Sequence, residues 1–126
     1  MASSAPNKSK VGRSAAILTT GEVAAASLDL NDTFGANVSV DLSFTIGSLT
    51  NVIVRFYASS DGVTYKPISI GGVVMAETLT ASAERCYVLP SLAGWKYVRA
   101  SLQGTGTVTS SSAAIVYRYQ KRGSQM

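Results

Sequence analysis

The residue types that most often carry enzyme chemistry are scarce in this chain. Its 126 residues include no histidine and a single cysteine, Cys86. Histidine is the commonest general base and the commonest metal ligand, and it is also the partner that activates a serine or cysteine nucleophile. A nucleophile activated by histidine is therefore excluded, and so is an ordinary zinc site, while the commonest general base is missing.

Seven carboxylates remain as candidates for glycoside hydrolysis, which requires two of them on either side of the scissile bond. Most fall on predicted solvent faces or turns, and no two share a local motif. They are Glu22, Asp29, Asp32, Asp41, Asp61, Glu77 and Glu84. We therefore expect a protein that is not an enzyme and that uses no cofactor.

Two further polar features have structural interpretations. The oxygens of Asp29–Asp32 would suit calcium, but Asp and Asn are also ordinary turn formers, and we predict a turn and no metal site. Cys86 lies in the apolar run Cys-Tyr-Val-Leu, where a buried and inert thiol is expected.

Aromatic side chains on predicted outer strand faces are the stronger candidates for a functional surface. They are Tyr57 and Tyr65 around an Asp-Gly turn, Trp95 and Tyr97 on a later strand, and Tyr117 and Tyr119 on the last strand. Tyrosine, tryptophan and arginine are typical anchors of protein interfaces, and sugar-binding sandwiches use similar platforms. The alternative for Trp95 is that its ring belongs to the core.

Positive charge is concentrated near the two ends of the chain. The net charge is +4, and residues 1–13 and 118–126 each carry three bases and no acid. Such segments can contact an acidic neighbour or nucleic acid, or they can be solvated ends. The basic residues that we consider as interface candidates are Lys8, Lys10, Arg13, Lys121 and Arg122.

The elements that must position these residues are β-strands. In 37–46 and 51–59 apolar and polar residues alternate with a period of two, which a half-buried antiparallel strand requires. Turn signals recur about every 8–12 residues, as in sandwiches and barrels. We predict an all-β fold, a single antiparallel β-sandwich of about eight strands, jelly-roll or Ig-like.

Further strands are predicted at 15–20, 23–30, 63–70, 72–79, 84–89, 95–103 and 107–119. Asp61-Gly62 predicts a type I′ hairpin between its flanking strands, and Pro67 places the second of them at an edge or bulge. The Gly-rich turn at 104–106 predicts a second hairpin, formed by the last two strands.

The predicted domain organisation is an extended basic arm at 1–14, the sandwich at 15–119 and a short basic tail at 120–126. The arm has no apolar periodicity, so we expect it to lie along a neighbouring subunit rather than on its own core. No run approaches the ~18–20 apolar residues of a membrane span, and no signal peptide is recognised.

Two segments resemble small β-sandwich virion proteins of tailed bacteriophages. They are FYASSDGVTYKPI at 56–68 and WKYVRASLQGTGTV at 95–108. The resemblance implies a virion structural protein made in the host bacterial cytoplasm, such as a capsid decoration (cement) subunit that bridges major capsid proteins as a trimer or higher homo-oligomer. A tail, neck or baseplate subunit is the alternative within this class. A carbohydrate-binding module is the alternative outside it. Contact with nucleic acid is expected only through the basic ends.

Overall fold

The computed structural model describes residues 7–18, 20–107 and 110–121. Within these residues the chain forms antiparallel strands and a short 3₁₀ turn at Leu30–Asp32, and no α-helix. The strands are β1 (Asn7–Ala16), β2 (Val23–Ala24), β3 (Leu28–Asp29), β4 (Thr33–Thr45), β5 (Leu49–Ser59), β6 (Lys66–Pro67), β7 (Ser69–Ile70), β8 (Val73–Val74), β9 (Ala76–Leu79), β10 (Ala83–Val88), β11 (Tyr97–Gly106) and β12 (Ser112–Lys121).

The strands form two main sheets. Sheet A has the order β1-β12-β4-β10. Sheet B has β11 and β5 at its centre, with β2 and β3 beside β11, and β6 and β9 beside β5. Strands β7 and β8 form a separate small hairpin. The predicted all-β antiparallel architecture is confirmed.

The core lies between the two sheets, where the alternating patterns place it. In sheet A the side chains of β4 that point inward include Val40 and Leu42, and in sheet B those of β5 include Val54 and Phe56, all of them buried. The outer positions between them carry polar residues or tyrosine, as the period of two predicts. No helix among the described residues is long and apolar enough to span a membrane.

Strand pairing is nested along the chain. The first strand pairs with the last, β2 and β3 pair with the next to last, and β4 pairs with β10 around the innermost pairs of β5 with β6 and β9. This is the connectivity of a long hairpin rolled into a sandwich. It favours the jelly-roll alternative over the Ig-like one.

The described part of the predicted N-terminal arm is a strand of the sandwich. Strand β1 pairs with β12 from Asn7 opposite Gln120 to Ala16 opposite Ala113, with two register shifts. The prediction of an unpacked arm is therefore wrong for residues 7–14. An edge strand is held by backbone hydrogen bonds, which need no apolar periodicity. Residues 1–6 and Arg122 lie outside the described residues, and Gln120 and Lys121 belong to β12 rather than to a tail.

The predicted tight turn at Asp61-Gly62 is instead a longer loop. Strand β5 ends at Ser59 and β6 begins at Lys66, so the loop runs from Ser60 to Tyr65. Asp61 Oδ1 accepts hydrogen bonds from the amides of residues 63 and 64, at 2.8 and 2.9 Å. This side-chain-centred turn competes with the two-residue hairpin. Pro67 does lie in an edge strand, as predicted.

The two-residue hairpin occurs further along, at Gly71-Gly72. Ile70 pairs with Val73 across it. Both glycines have positive φ, 59° and 82°, as a type I′ turn requires. Successive glycines satisfy that requirement without steric strain.

The last two strands do not form a hairpin. Strand β11 pairs with β5 in sheet B, whereas β12 pairs with β1 and β4 in sheet A. The segment after Gly106 therefore crosses from one sheet to the other. A glycine-rich segment can reverse the chain into a hairpin or lead it to the other sheet. The residue types alone do not distinguish these two outcomes.

Candidate functional site

Two of the predicted interface tyrosines meet on the outer face of sheet B. Strands β11 and β5 lie side by side there, with Arg99 directly opposite Tyr57. The neighbouring Val98 and Ala100 are buried, so Arg99 points away from the core. Tyr65, at the end of the loop that follows β5, completes the group.

Arg99 is held between the two tyrosines. Its guanidinium carbon lies 3.8 Å from the centre of the Tyr65 ring and 6.0 Å from that of Tyr57, within the range of cation–π attraction. The Tyr65 hydroxyl is 2.6 Å from Ser27 Oγ, which fixes the ring. Arg99 Nε is buried and has no hydrogen-bond partner among the described residues.

A carboxylate lies beside this arginine. Glu22 accepts hydrogen bonds from the hydroxyls of Tyr57, at 2.7 Å, and Ser101. Burial by itself would raise the pKa of Glu22. These two hydrogen bonds and the charges of Arg55 and Arg99 outweigh burial, so that the pKa is lowered. Burial, together with the same contact to Glu22, raises the pKa of Tyr57.

These residues enclose a cleft of about 300 Å³, which we call the Arg99 cleft. Its lining consists of Glu22, Ala24, Tyr57, Tyr65, Arg99 and Ser101. At the edge of the cleft, Arg55 Nη1 lies 3.8 Å from Glu22 Oε1 and donates to Gln103 Oε1 at 3.0 Å. Cross-strand pairing of β5 with β11 places these polar residues in one row.

Tyr97 and Trp95 are near the cleft but do not line it. The Tyr97 ring packs under the loop after β5, since a Cβ built on Gly62 would lie 3.0 Å from Tyr97 Cε2. Lys96 Nζ is 5.8 Å from the centre of the same ring. Trp95 precedes β11 rather than lying on it, and its side chain is exposed, so it is not part of the core.

Tyr117 faces inward, so its assignment to an outer surface is wrong, whereas Tyr119 is half-buried and lines a groove on sheet A that also contains Lys8. The two tyrosines share the face of β12 that also carries Ala113 and Ile115, both of which are buried. Tyr117 is fully buried, and Tyr119 packs against the core. The outer face of β12 carries a single charged residue, Arg118. The alternation of residue types along this strand therefore does not show which of its faces is buried.

The predicted basic residues have different environments. Lys10 Nζ donates to the carbonyl of Ser27 at 2.8 Å, and Arg13 donates to the carbonyls of Ala113 and Ile17, at 3.2 and 2.8 Å. Both side chains therefore stabilise their own chain. Lys8 is exposed and lines a separate open groove of about 590 Å³ on sheet A. Lys121 ends β12, and Arg122 lies beyond the described residues.

The other polar predictions have mixed outcomes. Asp29 Oδ1 accepts from the amide of Asn31 at 2.9 Å, which confirms the turn. Among the residues the structure describes, no three His, Cys, Asp or Glu side chains come together in a metal-binding group. Cys86 is exposed rather than buried, because it lies opposite Asp41 on the outer face of edge strand β10.

Four residues that line the Arg99 cleft were not predicted as site residues, namely Glu22, Ala24, Arg99 and Ser101. The pattern of β11 placed Arg99 on an outer face, but nothing marked it as a contact residue. Glu22 was considered only as an isolated carboxylate. It is 35 residues from Tyr57 and 79 from Ser101. Contacts at such separations depend on strand order, which local patterns do not encode.

Comparisons with known proteins find solved structures that share this fold. A scan of known protein families finds no match, and a search of curated proteins finds no similar sequence. Among solved structures, the SPBc2 prophage-derived protein YomS is 14% identical with a TM-score of 0.58, and the alignment covers 94% of this chain and 96% of that one. A chain from the Bacillus endospore appendages, a family of disulfide-linked pili, is 10% identical with a TM-score of 0.51. That alignment covers 94% of this chain and 91% of the other. The VP2 subviral particle of infectious bursal disease virus is 11% identical with a TM-score of 0.43, and the alignment covers 91% of this chain and 32% of that one. The first two likenesses show a shared fold over nearly the whole of each chain.

Proposed function

We propose that this chain is a non-enzymatic structural subunit of a bacteriophage particle and that it acts by binding neighbouring protein subunits. The observation that carries the proposal is the Arg99 cleft. It is a preformed surface of tyrosine and arginine on the outer face of a rigid sheet. These residue types dominate the energetics of protein interfaces, and preorganisation lowers the entropic cost of binding.

Two observations support a particle subunit in particular. The chain is only 14% charged, against roughly 25% for an average soluble domain, which suits a surface that neighbouring subunits cover. Its fold is also that of a prophage-derived protein. Within this class we propose a capsid decoration subunit that bridges major capsid proteins as a trimer or higher homo-oligomer. A tail, neck or baseplate subunit is the alternative.

A carbohydrate-binding module is the less favoured function. Sugar rings stack on open aromatic faces. The face of Tyr65 is covered by the Arg99 guanidinium at 3.8 Å, and the hydroxyl of Tyr57 is bound to Glu22. A glycan would have to displace these contacts before it could stack.

The test is quantitative mass spectrometry of purified phage particles. Copies on the order of hundreds per particle would support a decoration subunit, whereas about six or twelve would support the neck or tail. Absence from the particles would overturn the proposal. For the decoration role, adding purified protein to shells that lack it should raise their melting temperature. Binding on a glycan array without incorporation into particles would favour the carbohydrate alternative.

A further inference from the structure

We propose that the Arg99 cleft binds the carboxylate of an aspartate or glutamate side chain on a neighbouring protein subunit. This inference rests on the proposed function and specifies the chemistry of the partner. It follows from three features of the cleft, namely its hydrogen-bonding capacity, its charge and its shape.

The first feature is an arginine without an acceptor. A guanidinium carries five N–H donors in a planar fork. Arg99 makes cation–π contacts with Tyr65 and Tyr57, but its enclosed Nε has no hydrogen-bond partner among the described residues. Because the Nε is closed to an incoming group, a ligand must approach the terminal Nη groups, which also have no acceptor among the described residues, and a carboxylate matches the paired N–H donors of the fork.

The second feature is an excess of positive charge. Two guanidiniums, those of Arg55 and Arg99, face one carboxylate, that of Glu22. Glu22 is already engaged by the hydroxyls of Tyr57 and Ser101 and lies 3.8 Å from Arg55. A second anion would balance the site. Because the tyrosines fix Arg99 before the anion arrives, little ordering remains to oppose binding.

The third feature is the shape of the cleft. Its volume of about 300 Å³ admits the end of an acidic side chain. The stacked Arg99 closes the face of Tyr65 to a sugar ring, and Ser27 holds the hydroxyl of Tyr65 at 2.6 Å. The remaining opening presents charge rather than a flat aromatic platform. An acidic side chain from a protein therefore fits better than a carbohydrate.

The inference is tested by NMR on the full ¹⁵N-labelled chain. The probes are the peptide acetyl-Gly-Glu-Gly-amide, the same peptide with Gln in place of Glu, and glucuronate. We expect saturable shifts of the Arg99 Nε–H and Ser101 amide signals with the Glu peptide. Half-saturation should occur at a concentration roughly tenfold lower than for the Gln peptide, since a charged acceptor strengthens hydrogen bonds by about 1.4 kcal/mol or more.

Variants identify the group responsible. Arg99→Gln should abolish the response of the Ser101 amide, and Arg99→Lys should weaken it, because lysine keeps the charge but not the fork. The matched control is Arg85→Gln on β10, which removes one arginine elsewhere and should leave the response unchanged. Amide dispersion of each variant reports that it is folded. If Arg99→Gln does not fold, the weaker response expected of Arg99→Lys relative to the parent chain tests whether the guanidinium binds the peptide.

Three results would overturn the inference. These are no saturable shift with the Glu peptide, equal responses to the Glu and Gln peptides, or a response to glucuronate without one to the Glu peptide. None of them bears on incorporation into particles, which is measured separately. Conversely, a chain that binds the Glu peptide but is absent from particles would contradict only the proposed function.

Discussion

At the scale of single residues, Tyr117 connects the two sheets. It extends from β12 in sheet A, and its hydroxyl donates to the carbonyl of Ala26 at 2.5 Å and accepts from the amide of Ala100 at 3.1 Å. Burial raises the pKa of Tyr117 to about 12, so the hydroxyl keeps its proton at neutral pH. One side chain thereby satisfies two backbone groups of the opposite side of the sandwich.

Replacing Tyr117 with phenylalanine should destabilise the fold. The ring still fills its space, but the buried amide of Ala100 and the part-buried carbonyl of Ala26 lose their partner, which costs roughly 1–3 kcal/mol. Urea unfolding measures the change. Tyr119→Phe on the same strand is the matched control, because its hydroxyl has no hydrogen-bond partner in the described part of the chain, and it should stay within about 0.5 kcal/mol of the parent. Equal effects of the two changes would contradict this role.

Asp61 gives the loop after β5 a dependence on pH. The amides of Thr64 and Val63, together with the hydroxyl of Ser59, lower the pKa of Asp61 below its ordinary value of 3.8. A carboxylate with a lowered pKa in the folded state stabilises the fold above its ordinary pKa. That contribution is lost as the pH falls through the lowered value.

We therefore expect Asp61→Asn to melt below the parent at pH 6 and to approach it as the pH falls below about 3.8. Melting temperatures between pH 2 and 6 provide the measurement. Glu84→Gln, which changes the net charge equally, controls for the general effect of charge. If the Asp61→Asn and parent curves ran parallel over this range, the carboxylate would have no special role in the loop.

At the scale of elements, two glycines with similar backbone angles have different surroundings. Gly47 lies between β4 and β5 with φ of 54°, and Gly71 lies in the β7–β8 turn with φ of 59°. A Cβ on Gly47 would lie 2.3 Å from the carbonyl oxygen of Ser110, whereas a Cβ on Gly71 would meet nothing within 4 Å. Of these two glycines, Gly47 alone combines positive φ with the close approach of another backbone segment.

Alanine at these two positions should separate strain from crowding. Gly71→Ala carries the backbone strain alone, about 1–2 kcal/mol at most. Gly47→Ala carries the same strain and also forces Ser110 away, which should add about 1–3 kcal/mol. Denaturant unfolding of both variants checks the difference. Equal losses would show that the corner between the sheets relaxes without resistance.

Strand β1 is expected to be part of the stable fold rather than an appendage. Gly12 lies directly over the Tyr117 ring, where a Cβ would come 2.6 Å from Cε2. Deleting residues 1–13 would uncover that ring and remove the bond from Lys10 to Ser27. We expect a loss of at least about 2 kcal/mol in unfolding free energy, since a tyrosine buries roughly 150–250 Å². Deleting only residues 1–6 is the control. Unchanged stability after the longer deletion would restore the interpretation as an arm.

Some elements of this fold are encoded locally in the sequence and others are not. The patterns of β4 and β5 are read correctly because burial of alternate side chains is a local property. Strand β1 is missed because backbone hydrogen bonds hold it, and these leave no signature in residue type. Only part of the Arg99 cleft is predicted from the sequence. Tyr57 and Tyr65 are visible as outer aromatics, but their partners come from strands distant in sequence.

At the scale of the whole molecule, nested pairing makes the fold depend on its last strand. Strand β12 lies between β1 and β4 in sheet A and supplies the buried Ile115 and Tyr117. A chain that ends at Thr107 would leave β1 without a neighbour and the core open. Such long-range pairing also makes folding slow.

We therefore expect a chain truncated after Thr107 to be unfolded, with random-coil circular dichroism and poor amide dispersion. Adding residues 108–126 as a separate peptide should restore part of the strand signal, because antiparallel pairing with β4 requires no covalent link. A truncated chain that retained a cooperative melting transition would show that sheet B is stable by itself.

The pairing of Asn7 with Gln120 has a consequence for engineering. The two places where the polypeptide enters and leaves the sandwich are immediate neighbours, so a short linker could join them. New ends could then be opened at Gly71-Gly72, which are exposed and where an added Cβ would meet nothing within 4 Å. Such a circular permutant would keep every strand pair. It would also move any fused cargo from the rim of sheet A to the tip of the β7–β8 hairpin.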